Sequence, residues 1–221
     1  MAKIGEFFKK TFSKENLKKF FNTYIWLMLL LFVIDIVTKW AVLKHYGIDA
    51  MAGGINSENG AIQVIKNFCY IGGSLNKGAA FSMLNNKRVL LLLISLVMTG
   101  LFIGYYVFQF KKMETTYKVG LALMIAGAFG NLIDRAFYWE SITGFNGVID
   151  WIIFKFGNWE FAMFNIADSC LVIGIIIVLV KMLIDEIKEV RAKAKRGEFK
   201  YSPEELEAMN KEKENEENKG E

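Results

Sequence analysis

Apolar residues fall along this chain in four long blocks rather than in many short ones. Residues 24–43, 89–110, 117–137 and 161–184 are each apolar and long enough to cross the hydrocarbon core of a bilayer as a helix. Backbone in lipid finds no water to bond, so runs of this kind close their hydrogen bonds helically. The first block is broken only by Asp35 and Lys39; the third ends in Asn131, Asp134 and Arg135; the fourth carries Asn165 and Asp168 near its start. In the second, Gly100 and Gly104 have the spacing of a small-residue packing face. Between the first two blocks, residues 61–70 (AIQVIKNFCY) partly alternate and are rich in β-formers, which predicts a short strand region. Gly53, Gly54, Gly60, Gly72, Gly73 and Gly78 read as turns around it. The expected fold is an all-α polytopic membrane protein: four transmembrane helices with a small outward-facing β-region in the first outer loop.

Composition narrows this further. Of 221 residues, 53% are hydrophobic, 19 are Phe and one is Pro, which excludes an ordinary soluble enzyme, a disordered scaffold and a disulfide-stapled module. The first block is long for a signal-peptide core and carries Asp35 and Lys39 where a cleavage site needs small residues. A net charge of +4 is too mild to argue for nucleic acid. Cys69, Cys170 and His45 are too few for a zinc site, so neither a metal nor a cofactor is expected. Basic residues set the orientation: Lys3, Lys9, Lys10, Lys14, Lys18 and Lys19 before the first block, Lys111, Lys112 and Lys118 between the second and third, and Lys181, Lys188, Arg191, Lys193, Lys195 and Arg196 at and after the end of the fourth. By contrast, residues 138–160 hold only Lys155, and residues 44–88 are sparsely basic apart from Lys87 and Arg88 at the edge of the second block. Both termini are therefore expected in the cytoplasm and the two longer loops outside. The chain divides into a basic leader (1–23), a four-span domain (24–184) and a charged cytoplasmic tail (185–221), basic at first and acidic from Ser202.

With that topology, the polar clusters inside or beside the spans converge on one slab at the outer interface. Charges inside a membrane are costly and usually face a bundle interior in the service of function. Asp35 and Lys39, at i, i+4, can be an ion pair with a snorkelling lysine or part of a working site. Asp134 and Arg135 suit a structural salt bridge, Asn131 and Asn165 can bond between helices, and NKGAAFS (76–82) can be a tight entry into the second span. Asp150 and Asp168 stand apart. Each is an acid among large apolar residues with no cation immediately beside it. Two carboxylates brought together in a low dielectric share one proton, and such a pair can take a proton from water while donating one to a carbonyl.

Taken in order, IDIVTKW (34–40), NKGAAFS (76–82), GAFGNLIDR (127–135), GVIDW (147–151) and FNIAD (164–168) resemble the motifs of the bacterial lipoprotein signal peptidases, the type II signal peptidases. Ile36 stands where that family commonly has Gln, and the loop over 47–60 looks longer than is typical. The resemblance implies a metal-free aspartic endopeptidase of the bacterial cell membrane, active at the outer face. It would cleave diacylglyceryl-modified prolipoproteins just before the lipid-bearing cysteine. The dyad falls on Asp150 and Asp168, and the supporting positions fall on Asp35, Lys39, Asn76, Gly78, Asn131, Asp134, Arg135 and Asn165. Prolipoproteins and membrane lipids are the expected partners, nucleic acid is not, and a monomer is expected. Two other readings remain open: a Ser/Lys protease using Lys77 with Ser74 or Ser82, and a small ion or proton channel or transporter lined by Asp35, Asp134 and Asp168.

Overall fold

A computed structural model describes residues 22–78, 87–138 and 143–196, with Glu207 and Lys211. The leader lysines, residues 79–82 of the NKGAAFS motif and nearly all of the tail beyond 196 lie outside the described residues. In chain order the elements are α1 (Ile25–Tyr46), α2 (Ile48–Gly53), β1 (Ile62–Ile65), β2 (Cys69–Asn76), α3 (Arg88–Gln109), α4 (Thr115–Phe137), β3 (Val148–Phe156), β4 (Trp159–Glu160) and α5 (Ile166–Lys195). Among the described residues, α1, α3, α4 and α5 are long and apolar enough to span a membrane, as the four blocks predict. The last helix begins five residues later than its apolar block, because residues 161–165 are extended, and it runs on past 184. The chain divides after Val178 into two units. In the second, Lys193 pairs with Glu189 at 2.7 Å and Lys181 pairs with Asp185, both one helical turn apart. The first unit carries the sheet and the polar clusters.

Small residues decide which helix lies innermost. α4 is the least apolar of the four, yet more than half of its span is buried while the others bury roughly a fifth. A Cβ built on Gly127 would lie 2.2 Å from the Ala167 carbonyl oxygen, and one on Gly174 would lie 2.6 Å from that of Gly120. α4 and the first half of α5 therefore meet backbone to backbone, an approach that only side-chain-free positions permit. Gly100 and Gly104 do not form the packing face their spacing suggests: among the described residues, a Cβ on either would touch nothing within 4 Å. Their helix, α3, instead turns a sparse stripe of Leu91, Thr99 and Tyr106 inward and leaves Leu93, Val97 and Leu101 exposed, as a lipid-facing surface requires.

The β-region is larger than expected and draws on both long loops. β1, β2, β3 and β4 form an antiparallel sheet in that order. Residues 61–70 give not one strand but β1, a turn at Asn67 in the left-handed region (φ 56°), and the start of β2. β3 comes from the loop before the last span, where a continuous apolar run around Asp150 hid its strand character. Gly72 and Gly73, expected as turns, lie inside β2. There the register slips, so that Ile71 pairs with Ile152 but Ser74 pairs with Asp150, a one-residue bulge. The glycines are required because Ile55 bridges to Gly73, and a Cβ on Gly72 would lie 2.1 Å from the Ile55 oxygen. Tyr46, at the end of α1, donates its hydroxyl to the Ile71 carbonyl at 2.7 Å. A core of Val42, Leu43, Met51, Tyr138, Phe145 and Ile149 then packs the sheet against the helix ends.

Candidate active site

The last span starts with an asparagine and an aspartate three residues apart, the spacing of a helix-capping pair. Asn165 is the N-cap of α5: its Oδ1 accepts from the Asp168 backbone N–H at 2.9 Å, and its own backbone N–H donates to Asp168 Oδ2 at 3.1 Å. This reciprocal box fixes the Asp168 carboxylate against the helix start. Asp35, reaching from α1, accepts the next orphan donor, the Ala167 N–H, on its Oδ1 at 2.9 Å.

Asn165 also reaches the second acid. Its side-chain amide donates to Asp150 Oδ1 at 2.7 Å, so one residue binds both carboxylates. The opposite side of Asp150 is held by the sheet. Asn76 faces Val148 in the register, two pairs along from Ser74 and Asp150. That places Asn76 diagonally beside Asp150 on the same face, and its Nδ2 donates to Asp150 Oδ2 at 2.9 Å. The Asn76 Oδ1 in turn accepts the Gly78 N–H at 2.9 Å. Asp150 is 3% exposed. Burial first, and then the neighbouring Asp168 carboxylate, push its carboxyl up to about 8.

Beneath the pair lies a fully buried cation. Lys39 is 0% exposed and does not snorkel. Its ammonium meets Asp35 Oδ2 at 2.7 Å, Asp134 Oδ2 at 2.8 Å and Asn131 Oδ1 at 3.1 Å, which uses all three of its donors. The structural partner of Asp134 is thus Lys39 and not, as the sequence suggests, the adjacent Arg135. With its oxygen held by Lys39, Asn131 turns its Nδ2 to Asp168 Oδ1 at 2.7 Å. Lys39 therefore orients the amide that orients the acid. Arg135 leans the other way, with longer contacts to the Gly78 carbonyl (3.5 Å) and its own Asn131 carbonyl (3.4 Å).

All ten residues named from the sequence join one hydrogen-bonded network. Sequence reasoning missed Arg88, counted there only as a flanking charge. Its Nε and Nη2 donate to the Arg135 carbonyl at 3.2 and 2.9 Å, and its Nη1 donates to Asn146 Oδ1. It ties the end of α4 to the segment leading into Asp150. A basic residue at the start of a span, on the side where basic residues are scarce, was the available signal. Of the Ser/Lys reading, Ser74 pairs with Asp150, but Lys77 is exposed and lacks the desolvation an activating lysine needs; Ser82 lies outside the described residues.

Fold and site together define a polytopic membrane protein in which a buried carboxylate on the sheet, Asp150, and a half-buried one at the start of a span, Asp168, are bridged by Asn165. The chain belongs to the signal peptidase II family, whose model, "Signal peptidase (SPase) II", matches residues 27–184; it is a bacterial membrane peptidase. It is 36% identical over 152 residues to the lipoprotein signal peptidase of Bacillus pumilus (strain SAFR-032), covering 69% of this chain and 86% of the relative. To that of Geobacillus kaustophilus (strain HTA426) it is 33% identical over 159 residues, covering 72% and 92%. Two solved structures of a bacterial membrane enzyme, obtained by the in meso method at 2.3 and 1.9 Å resolution, superpose with TM-scores of 0.59 and 0.57 at 28% identity. They cover 74% and 73% of this chain and 89% and 92% of theirs.

Proposed function

We propose that the chain is an aspartic endopeptidase that removes the signal peptide from diacylglyceryl-modified prolipoproteins, cutting just before the lipid-bearing cysteine, with Asp150 and Asp168 as its dyad. The observation that carries this reading is Asn165, which bonds both carboxylates and so keeps them on one site. The pair holds one proton, and Asp150, whose carboxyl lies near 8, is the member that keeps it at neutral pH. A water between the acids gives its proton to Asp168 as its oxygen attacks the scissile carbonyl. Asp150 donates to the carbonyl oxygen, and a neutral tetrahedral diol forms. Asp168 then returns its proton to the leaving amine, and Asp150 recovers its own as the new carboxyl forms. Asn131 and Asn165 orient the acids, Asn76 holds Asp150, and Arg135 offers donors to the substrate backbone. One chain supplies both acids and their donors, so a monomer suffices.

The lipid on the substrate suits this site. A diacylglyceryl group stays in the bilayer and holds the adjoining bond near its boundary, which raises the effective concentration of that bond at an acid pair of the same depth. Asp150→Asn and Asp168→Asn, purified in detergent and given a lipidated prolipoprotein, should each lower cleavage by about 10²–10⁴-fold or more. Full activity in either variant rejects the dyad. Proton flux without a shortened product would favour a channel instead.

A further inference from the structure

The two acids ride on different parts of the fold. Asp168 stands in the first turn of α5, whereas Asp150 is the third residue of β3 and belongs to the sheet. Their separation therefore depends on how firmly the entry to β3 is tied to the helices. That entry is tightly constrained. Gly147 has φ 127°, where only glycine is at ease, and a Cβ there would lie 2.9 Å from the Asn76 carbonyl oxygen. Val148 then pairs with Asn76, whose amide holds Asp150. Just upstream, Asn146 Oδ1 accepts from Arg88 Nη1. The other two nitrogens of that guanidinium reach α4. There the Tyr138 N–H closes on the Asp134 carbonyl, and the next carbonyl, that of Arg135, accepts from Arg88 Nε at 3.2 Å and Nη2 at 2.9 Å. The helix dipole favours a cation on these last carbonyls. Arg88, Arg135, Asn146, Gly147, Asn76 and Gly78 all line one small cavity, so this junction adjoins the donor that holds Asp150.

We infer that Arg88 is a positioning residue: its guanidinium clamps the entry of β3 to the end of α4 and so sets the place of the Asp150 carboxylate against Asp168. All three of its nitrogens are engaged, two on one element and one on another. The planar fork makes this possible, because its donors diverge at fixed angles. Lysine carries the same charge on a single nitrogen and cannot span a carbonyl and an amide on separate elements in that way. The charges that face Asp150 directly are Asp168 of α5, Lys39 of α1 and Arg135 of α4; Arg88 acts on it through Asn146 and the start of the strand. The effect on turnover rests on the proposed dyad, whereas the effect on where Asp150 sits does not.

The test compares Arg88→Lys, Arg88→Gln and Asn146→Ala in the full chain in detergent, with two readouts. Given a lipidated prolipoprotein, each variant should lose about tenfold or more in kcat while KM stays within about twofold, since the acids are displaced and the substrate contacts remain. The double variant Arg88→Gln/Asn146→Ala should be no slower than Arg88→Gln alone, because both changes cut one connection. The second readout needs no substrate. Infrared titration follows the protonated-carboxyl band that Asp150→Asn removes, whose midpoint in the wild type is about 8. Burial and the neighbouring Asp168 hold that midpoint up, so a loosened entry should lower it by about one pH unit or more in Arg88→Lys and Arg88→Gln. An unmoved midpoint overturns the inference, whatever happens to turnover, and leaves the dyad standing if the wild type cleaves. Losses that multiply in the double variant overturn the route through Asn146. A lowered midpoint in the variants of a chain that cleaves nothing upholds the clamp and rejects the proteolytic reading instead.

Discussion

At the scale of single residues, Asn165 carries two duties that substitution can separate. As the N-cap it satisfies a helix donor, a task a serine also performs, while its amide alone spans the gap to Asp150. Asn165→Ala should lose about 1 kcal/mol of stability through the missing cap and about 10²-fold in kcat through the misplaced acids. Asn165→Ser should keep the unfolding temperature close to wild type and still lose the activity. Equal behaviour of the two variants in both thermal unfolding and turnover would mean that the amide bridge does nothing beyond capping. Asp150 makes a second, electrostatic prediction. Its carboxyl stands near 8 in the fold against an ordinary 3.8, so the folded state binds a proton over that interval which the unfolded state releases. The stability this supplies is complete below about pH 4 and is lost as pH rises toward 8. Asp150→Asn has no such group. Its unfolding temperature relative to wild type should therefore climb between pH 4 and pH 8, and a difference flat across that range would show that the carboxyl is not buried as described.

Among the elements, what could be read from the sequence follows how strongly each is dictated locally. The four spans were legible because lipid leaves an apolar run no alternative to a helix. Asp35, Lys39, Asn131, Asp134 and Asp168 were legible because a charge or amide in such a run demands a reason. β3 was not: VIDWIIFKF is buried toward its start and lacks a clean alternation, and its partner β2 lies more than 70 residues upstream. The glycines were misread for a related reason. Spacing reveals which positions share a face but not which helix that face meets. Gly127 on α4 meets the α5 backbone, whereas Gly100 on α3 meets no described atom. Gly127→Ala should accordingly cost about 1–3 kcal/mol by forcing two helices apart. Gly100→Ala should be neutral or add about 0.5–1 kcal/mol, as expected when a helix exchanges glycine for its best former. Unfolding in detergent distinguishes the two, and similar losses at both sites would place α3 in a packed interface.

For the molecule as a whole, the substrate proposal depends on which side of the membrane the sheet occupies, and one charge pattern bears on it. The connection between α3 and α4 carries Lys111 and Lys112, and Lys118 in the first turn of α4 sits over the Phe110 ring at 4.4 Å, which holds a cation at the end of the span. At the other end, three basic residues of the first unit are engaged: Lys39 is sealed between two carboxylates, Arg88 binds the end of α4, and Lys155 faces Glu58. Cations engaged in this way are fixed by the fold, whereas the short α3–α4 connection carries the dense basic signal that the insertion rule weighs. On that count the sheet-bearing end, where a lipidated substrate would meet the acids, is expected to be the end that crosses. In intact cells expressing variants with Cys69 and Cys170 replaced by Ala, a membrane-impermeant maleimide should label a Ser57→Cys variant and leave a Lys112→Cys variant unlabelled until the cells are opened. The reverse pattern would put the acid pair at the inner face, out of reach of exported prolipoproteins, and the substrate proposal would fail even with every hydrogen bond of the site in place.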